Sequence, residues 1–335
     1  MRVLLAVDGG NSKTDLALVD ADGSVRALVR GGLSSPHHLG LEPALDVLER
    51  LRSEAGANGS AKIGMLAMAG VDFPSEEAEF VRAASGRGWA EKISVLNDTF
   101  AVLRAGTERG WGVAITCGAG INCVGVAPDG RHARFPALGS ITGDWGGGYD
   151  VGLAAVSAAA RSEDGRGPRT TLERSVPAYF GVATPLELAE AIHRGRIEQR
   201  RVIELAPLVL SEAADDAVAA EIVEKLAAEI VTMARVALTR LGLEREPVEV
   251  LLGGGLFRAG NARLLSTVET GLRELAPEVT VRSTGLPSIV GAALLGLDAV
   301  GAPADAHARA REQLSRRVDE LESAPAGAGM RRDDG

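Results

Sequence analysis

The feature that most constrains the fold is a pattern that occurs twice in the chain. Residues 7–23 read VDGGNSKTDLALVDADG, and residues 111–135 read WGVAITCGAGINCVGVAPDGRHARF. In each copy an apolar, strand-like run enters a glycine-rich turn, a second run follows, and Asp-Gly forms a tight turn before a third. A duplicated unit of this kind predicts two domains of like topology, each opening with a hairpin whose glycine turn can face a shared cleft.

The first glycine-rich turn is longer than a hairpin requires. It consists of Gly9, Gly10, Asn11, Ser12, Lys13 and Thr14. Such a turn presents several backbone N–H groups and hydroxyls to one point, which is the chemistry that a phosphate group needs. The spacing matches neither a Walker loop nor a dinucleotide loop, because a strand rather than a helix follows it. The turn therefore predicts a phosphate-binding loop, and an ordinary wide turn of a β-meander is the alternative.

Composition limits the class of protein. The chain has 335 residues, of which 46% are hydrophobic and 3% aromatic, so two domains with aliphatic cores are expected. A net charge of −9 argues against nucleic acid or an anionic membrane as a partner. The chain has no long apolar segment, and its start turns polar too early for a signal peptide, so a cytoplasmic protein is expected. Cys117 and Cys123 lack the paired spacing of a zinc or redox site, which predicts reduced thiols.

The remaining sequence alternates between strand-like and helix-like segments. Between the two copies we predict helices over 41–51 and 75–84 and strands over 61–68 and 93–96. After the second copy we predict helices over 151–161, most of 185–241, 289–297 and 302–321, and a strand over 248–252. That strand ends in Gly253, Gly254 and Gly255, where the backbone can approach a ligand closely. The last residues are expected to be disordered.

These motifs together resemble a known family. In chain order they are VDGGNSKTDLALVDADG, LNDTFAVLRAGT, CGAGINCVGVAPDG, GDWGGG, LLGGG and PSIVGAALLG. They resemble the N-acetylglucosamine kinase branch of the BadF/BadG/BcrA/BcrD ATPases, over about residues 1–300. The resemblance implies the α/β fold of actin, sugar kinases and Hsp70-type ATPases, in which two ribonuclease H-like domains surround a nucleotide cleft and the second carries a helical insertion. We expect these domains at 1–108 and 109–301, followed by a C-terminal helix and tail over 302–335.

The resemblance also implies a nucleotide site. Gly9 to Thr14 resemble the first phosphate motif of the family. The second phosphate motif corresponds to Gly118, Ala119 and Gly120, and the adenosine motif to Gly253, Gly254 and Gly255. ATP and Mg²⁺ are the implied cofactors, and Asp8 is expected to hold the metal through water.

Asp98 is the candidate catalytic residue. It follows a strand-like run, and a carboxylate at the end of a strand can accept the proton of a hydroxyl that attacks a phosphoryl group. In the family that this chain resembles, the matching aspartate is the proposed base. The alternative is that Asn97 and Asp98 cap a helix that begins at Thr99.

By resemblance, the sugar-contacting residues are Asn97, Asp98, Gly120, Asn122 and Asp144. His37 is a further candidate because a histidine beside the cleft can bond sugar hydroxyls, and a solvated loop residue is the alternative for it. For Asp144 the alternative is a flexible glycine-rich loop, and for Asn122 it is a turn in which the side chain bonds its own backbone. Some positions depart from the family pattern. Ala119 and Ile121 replace hydroxyl-bearing residues, and Pro36 and His38 replace an asparagine and an aromatic residue. These departures leave the identity of the sugar open.

We therefore expect an ATP-dependent hexosamine kinase, with the 6-hydroxyl of N-acetylglucosamine as the first candidate acceptor. Glucosamine, N-acetylmuramic acid and glucose remain alternatives. The same group of proteins includes ATPases that activate dehydratases and reductases through a shared iron–sulfur cluster, and relatives that act as sugar sensors. The expected partners are a sugar and ATP, without nucleic acid or membrane, and a homodimer is the expected assembly.

Overall fold

The computed structural model describes residues 3–257 and 261–323. The strands are β1 (Val3–Gly9), β2 (Lys13–Asp20), β3 (Val25–Gly32), β4 (Ala61–Met68), β5 (Ala90–Asn97), β6 (Gly112–Cys117), β7 (Ile121–Val126), β8 (His132–Arg134), β9 (Glu249–Gly253) and β10 (Thr280–Ser283). The helices are α1 (Pro36–Leu39), α2 (Leu41–Glu54), α3 (Pro74–Gly86), α4 (Asp98–Gly106), α5 (Gly147–Glu163), α6 (Leu172–Tyr179), α7 (Pro185–His193), α8 (Ala206–Glu212), α9 (Ala217–Leu241), α10 (Ala262–Arg273), α11 (Ser288–Ala299) and α12 (Ala304–Ser323). Within the described ranges, every helix is too short or too polar to cross a bilayer.

The chain divides into two compact units. Unit 1 comprises residues 1–108 together with residues 286–335, and unit 2 comprises residues 109–285. Within the part of the chain that the structure describes, each unit contains one five-stranded sheet. In unit 1 the strand order is β3-β2-β1-β4-β5, with antiparallel pairing among β1, β2 and β3 and parallel pairing from β1 to β4 and from β4 to β5.

The sheet of unit 2 repeats this topology strand by strand. Its order is β8-β7-β6-β9-β10, with β6, β7 and β8 antiparallel and β9 and β10 parallel to β6. The duplicated sequence pattern therefore encodes a duplicated fold, as predicted. Five helices, α5 to α9, lie between β8 and β9 in the chain.

Both faces of the unit 1 sheet are buried, which explains why its central strand is apolar throughout. Leu4 and Ala6 of β1 belong to a core that includes residues of α11 and α12. Leu5 and Val7 point to the opposite face and belong to a core that includes residues of α2 and α3. Strands buried on both faces lose the alternation of polar and apolar residues.

The long helix α9 contributes one side of the unit 2 core. It begins at a capped end, where the Asp216 carboxylate accepts a hydrogen bond from the Ala219 N–H at 2.8 Å. It ends at Leu241 and is followed by the C-cap residue Gly242, whose φ of +70° places it in the left-handed region. An aspartate at the N-cap and a glycine at the C-cap are both typical of helix boundaries.

The structure places residues 286–301 in unit 1, whereas the order of motifs along the chain predicts them in the second domain. Helix α11 packs on α4 so closely that a Cβ on Gly291 would lie 1.8 Å from the Ala101 carbonyl oxygen. The guanidinium of Arg104 also donates two hydrogen bonds to the Asp298 carboxylate, at 2.7 and 3.1 Å. Residues 286–301 thus pack on unit 1 through contacts between segments that are far apart in the sequence, and local sequence patterns do not predict such contacts.

Some elements were not predicted, namely helices α1, α6 and α10 and strand β10. Strand β10 completes the unit 2 sheet, but it is short and only partly buried, so it gives a weak strand signal. The tail expected to be disordered falls largely on residues 324–335, which lie outside the described residues.

Candidate active site

The glycine loop of unit 1 is shorter than predicted, because Gly9 ends β1, Lys13 and Thr14 begin β2, and only residues 10–12 connect the two strands. Backbone hydrogen bonds hold this loop in place. The Gly10 N–H donates to the Lys13 carbonyl at 3.0 Å, and the Gly10 carbonyl accepts from the Ser34 N–H at 3.2 Å. The Gly9 carbonyl accepts from the Ala69 N–H at 2.8 Å. A Cβ on Gly10 would lie 2.8 Å from the Lys13 oxygen, so the turn has no room for a side chain there.

The residues at the tip of this loop are accessible. Asn11 and Ser12 are exposed and Lys13 is partly exposed. Thr14 is fully buried, and its hydroxyl donates to the Ser34 hydroxyl at 2.7 Å. The tip and Lys13 can therefore meet a ligand, whereas the Thr14 side chain is already committed to the fold.

Two carboxylates lie at the same edge of the unit 1 sheet. Asp8 is near the end of β1, and Asp98 directly follows β5, which runs parallel to β1. Burial raises the pKa of Asp8 to about 8, with repulsion from Asp98 and Asp15 adding to it and Lys13 and Arg30 opposing it. Burial likewise raises the pKa of Asp98 to about 6. The carboxyl groups at this edge are buried and lie near one another, and the nearby positive charges only partly stabilise their ionised forms.

Asn97 caps the helix that begins at Asp98. Its Oδ1 accepts from the Thr99 N–H at 3.0 Å, and its Nδ2 donates to the Asp72 carboxylate at 2.8 Å. The capping residue is thus Asn97, while Asp98 is the first residue of α4. Asp72 was missed in the sequence, although it follows β4 closely and therefore lies at the same sheet edge as Asp8 and Asp98.

His37 lies in the short helix α1 and lines a cavity of about 280 Å³. The side chain of His37 lies against the backbone of Gly70. A glycine is needed there, because its φ is +73° and a Cβ on it would lie 2.8 Å from the Cβ of His37. The His37 ring meets the ring of His38 edge to face, with 5.2 Å between centroids. The other residues that line the cavity are Pro36, Leu41, Val71, Glu76, Glu79 and Phe80.

The glycine loop of unit 2 connects β6 to β7 and packs against the start of α5. The Gly118 N–H donates to the Gly120 carbonyl at 3.0 Å. The carbonyls of Gly118 and Ala119 accept from the N–H groups of Gly148 and Tyr149, at 2.8 and 2.9 Å. Ala119 and Gly120 are exposed, so the tip of the loop is accessible.

Other glycines allow the backbone of unit 2 to close around this loop. Gly147 has a φ of +71°, and a Cβ on it would lie 2.3 Å from the Gly120 carbonyl oxygen. Gly254 has a φ of +96°, and a Cβ on it would lie 2.3 Å from the Cys117 carbonyl oxygen. The structure therefore brings the run formed by Gly253, Gly254 and Gly255 to the entrance of the predicted second phosphate loop.

Asp144 and Asn122 are also in unit 2. The Asp144 carboxylate accepts a hydrogen bond from the Thr142 hydroxyl at 2.6 Å. Glu229 of α9 is a neighbour that the sequence did not indicate, and its pKa is raised by burial and by repulsion from Asp144. The Asn122 Oδ1 accepts from the Cys123 N–H at 2.7 Å, as expected for an asparagine that bonds its own backbone.

The acidic edge of unit 1 fits a hydrated Mg²⁺. No cluster of three or more His, Cys, Asp or Glu side chains that could hold a metal exists among the described residues. Mg²⁺ does not need one, because it usually keeps several waters and is bound by one or two carboxylates together with substrate phosphates. Asp8, with Asp98 close enough to raise its pKa, supplies carboxylate oxygens of this kind.

The chain matches a known protein family over most of its length. The model of the BadF/BadG/BcrA/BcrD ATPase family matches residues 5–296. The chain belongs to this family. The match extends over both units, from β1 to α11.

Two curated relatives of this family member are kinases. The chain is 28% identical over 267 residues to an N-acetylmuramic acid/N-acetylglucosamine kinase of Clostridium acetobutylicum, a match that covers 77% of this chain and 86% of the relative. It is 24% identical over 315 residues to an N-acetyl-D-glucosamine kinase of Dictyostelium discoideum, covering 88% and 98%.

Solved structures show the same fold. A protein of Chromobacterium violaceum, provisionally named an N-acetylglucosamine kinase, is 27% identical with a TM-score of 0.68, and the match covers 89% of this chain and 99% of that one. A ROK family glucokinase of Streptomyces griseus is 15% identical with a TM-score of 0.53, covering 88% and 98%, and shares the fold. This family member therefore has the α/β fold of the actin-like sugar kinases.

Proposed function

We propose that the protein is an ATP-dependent kinase of hexosamines, and that it transfers the γ-phosphoryl group to the 6-hydroxyl of N-acetylglucosamine. The observation that carries the proposal is the position of Asp98. It is a partly buried carboxylate at the same sheet edge as the glycine loop, and burial raises its pKa to about 6. A base with a pKa closer to neutrality accepts a proton more readily than an ordinary aspartate, yet it is mostly ionised at pH 7.

The proposed reaction is a direct transfer. The oxygen of the sugar hydroxyl forms a bond to the γ-phosphorus as the bond from that phosphorus to the β–γ bridging oxygen breaks, and ADP leaves. The hydroxyl proton passes to the Asp98 carboxylate. Phosphoryl transfer depends mainly on positioning and charge stabilisation, so a single well-placed base suffices for the proton.

The other predicted residues have roles that fit their positions. In unit 1, the tip of the glycine loop and Lys13 would contact phosphates, and Asp8 would hold Mg²⁺. The metal would neutralise charge on the phosphates. In unit 2, Gly118 to Gly120 would contact phosphates and Gly253 to Gly255 the adenosine.

For the sugar we propose His37 in unit 1 and Gly120, Asn122 and Asp144 in unit 2 as contacts. Asn97 contributes differently. Only 5% of it is exposed, and its amide is bonded to Asp72 and to the Thr99 N–H, so we assign it the task of holding Asp98 in place.

The test is a panel of N-acetylglucosamine, N-acetylmuramic acid, glucosamine and glucose with Mg-ATP. We expect ADP release that depends on the sugar, and phosphorus NMR of the product should show a phosphate ester at the 6-position. N-acetylmuramic acid is the second candidate acceptor, because the Clostridium relative is named for both sugars. ADP release that no sugar stimulates would contradict the kinase proposal.

The buried thiols argue against an iron–sulfur ATPase activator. Cys117 and Cys123 are both free and buried. Burial raises the pKa of Cys117 to about 12 and that of Cys123 further. A cluster shared between subunits needs thiolates at a surface, and both side chains are fully buried in the unit 2 core.

A further inference from the structure

Lys13 of the glycine loop has an acidic partner from the far end of the chain. Its Nζ lies 3.0 Å from Oε1 of Glu322, in the last turn of α12. The same Glu322 oxygen lies 3.6 Å from Nη1 of Arg30. Arg30 in turn donates two hydrogen bonds, at 2.6 and 2.8 Å, to the buried carboxylate of Asp15. Lys13 therefore belongs to a series of alternating charges, in which Glu322 of α12 lies between Lys13 of β2 and Arg30 of β3, and Arg30 returns to Asp15 of β2.

Helix α12 is fixed to the sheet, so Glu322 does not reach the loop by chance. The Val25 N–H of β3 donates to Oε1 of Gln313 at 2.9 Å, and Arg317 donates to the Val25 carbonyl at 2.8 Å. Near the start of the helix, a Cβ on Gly23 would lie 2.0 Å from the Ala306 carbonyl oxygen. The helix lies along the edge strand β3, and its last turn is directed to the glycine loop.

We propose that Glu322 is the resting partner of Lys13 and that a nucleotide phosphate takes its place when nucleotide binds. The proposal rests on the proposed function, because it needs Lys13 to contact phosphate. A phosphate carries more charge than a carboxylate and would draw the ammonium of Lys13 away. Glu322 would still face Arg30, so the exchange leaves neither carboxylate nor guanidinium without a partner. Glu322 is then a positioning residue that competes with the ligand for one cation.

The expected effect is small and has a definite sign. The side chains of Lys13 and Glu322 are 38% and 42% exposed, and exposed ion pairs are weak and sensitive to salt. Removing the Glu322 charge should therefore tighten nucleotide binding by about two- to fivefold. Glu320, on the same helix, is the matched control, because it pairs only loosely with Arg316, at 3.9 Å.

The experiment compares the ADP affinity of the wild type, Glu322→Gln and Glu320→Gln by calorimetry in the presence of Mg²⁺. Measurements at ionic strengths of about 0.05 M and about 0.5 M test the electrostatic origin. We expect tighter binding only for Glu322→Gln, and a smaller difference at high salt. Glu322→Ala serves as a second variant, and thermal unfolding of each confirms that it folds. Equal affinities of Glu322→Gln and Glu320→Gln would overturn the proposal.

A double-mutant cycle with Lys13→Met separates this proposal from the proposed function. Lys13→Met alone should weaken ADP binding, and adding Glu322→Gln to it should change nothing further. A gain from Glu322→Gln that persists without Lys13 would overturn the role of Glu322 as its resting partner. Unchanged ADP affinity in Lys13→Met would instead reject the phosphate contact of the loop, and the present proposal with it.

Discussion

The side-chain amide of Asn97 donates a hydrogen bond to the carboxylate of Asp72 at 2.8 Å. This bond links the connection after β4 to the end of β5. The other end of the same amide caps α4 through the Thr99 N–H, and Asp98 is the residue between them. The position of the proposed base therefore depends on a carboxylate that does not itself take part in proton transfer.

Removing the acceptor on Asp72 should lower turnover. Asp72→Ala leaves the Asn97 amide without this partly buried partner, and the loss of about 1–2 kcal/mol in positioning corresponds to a fall in kcat of about tenfold. Asp72→Asn keeps an oxygen acceptor and should remain near the wild type. Steady-state kinetics on both variants, with thermal unfolding as a check, decides the matter. Equal losses in the two variants would show that the charge of Asp72, and not the hydrogen bond, is what counts.

Replacing the proposed base should reduce chemistry far more than sugar binding. Asp98→Asn keeps the shape of the side chain but cannot accept the hydroxyl proton, so kcat should fall by about 10²–10⁴. Sugar affinity, measured by calorimetry without turnover, should change little. Near-native turnover in this variant would mean that Asp98 serves only as the first residue of α4.

Asp144 should show the opposite division between binding and chemistry. As a proposed contact to sugar hydroxyls it acts in the ground state and in the transition state alike, so Asp144→Asn should weaken sugar affinity by about tenfold. A smaller fall in kcat would follow from poorer alignment. Thr142→Val removes the hydroxyl that donates to Asp144 and provides a milder companion variant. Unchanged sugar affinity in Asp144→Asn would remove Asp144 from the site.

The raised pKa of Asp98 also predicts a gain in stability on substitution. Its folded-state pKa is about 6 against an ordinary value of 3.8, so its contribution to stability is present at low pH and is lost as the pH rises through about 6. A pKa difference of about 2 corresponds to at most about 3 kcal/mol. Asp98→Asn, which cannot ionise, should therefore be more stable than the wild type at about pH 8 and no more stable near pH 3.5.

Thermal unfolding at these two pH values measures this effect. Asp319→Asn, on the exposed side of α12, removes the same charge without burial and is the control. A similar midpoint for the two variants at the higher pH would indicate that Asp98 is not destabilised by ionisation in the fold.

The crowded backbone at Gly10 in the first glycine loop predicts a defect specific to nucleotide binding. Gly10→Val places a side chain 2.8 Å from the Lys13 carbonyl oxygen and must displace the loop backbone. We expect ADP binding to be lost in a protein that still folds. Gly32→Val is the control, because a Cβ on Gly32 has no atom within 4 Å apart from its chain neighbours. Unchanged ADP affinity in Gly10→Val, measured by calorimetry, would reject the loop as a phosphate site.

The sequence by itself determined the elements that depend on local pattern. The repeated strand and turn pattern predicted two sheets of one topology, because alternation and glycine turns reflect the pleat and its reversals. The order of motifs predicted the family. It also placed Asp8 and Asp98 at the ends of strands, and parallel strands bring their carboxyl ends to one edge.

Only the tertiary structure decided which distant segments meet. It returned α11 and α12 to unit 1, joined Asp72 to Asn97, and paired Lys13 with Glu322 across 309 positions of sequence. An apolar face in the sequence indicates that a helix is buried, but it does not indicate which sheet the helix packs on. A charged residue in the sequence likewise does not indicate which residue it will pair with. Which segments meet depends on the packing of the whole unit, because side chains from remote segments must fill the same close-packed interior and bring opposite charges together.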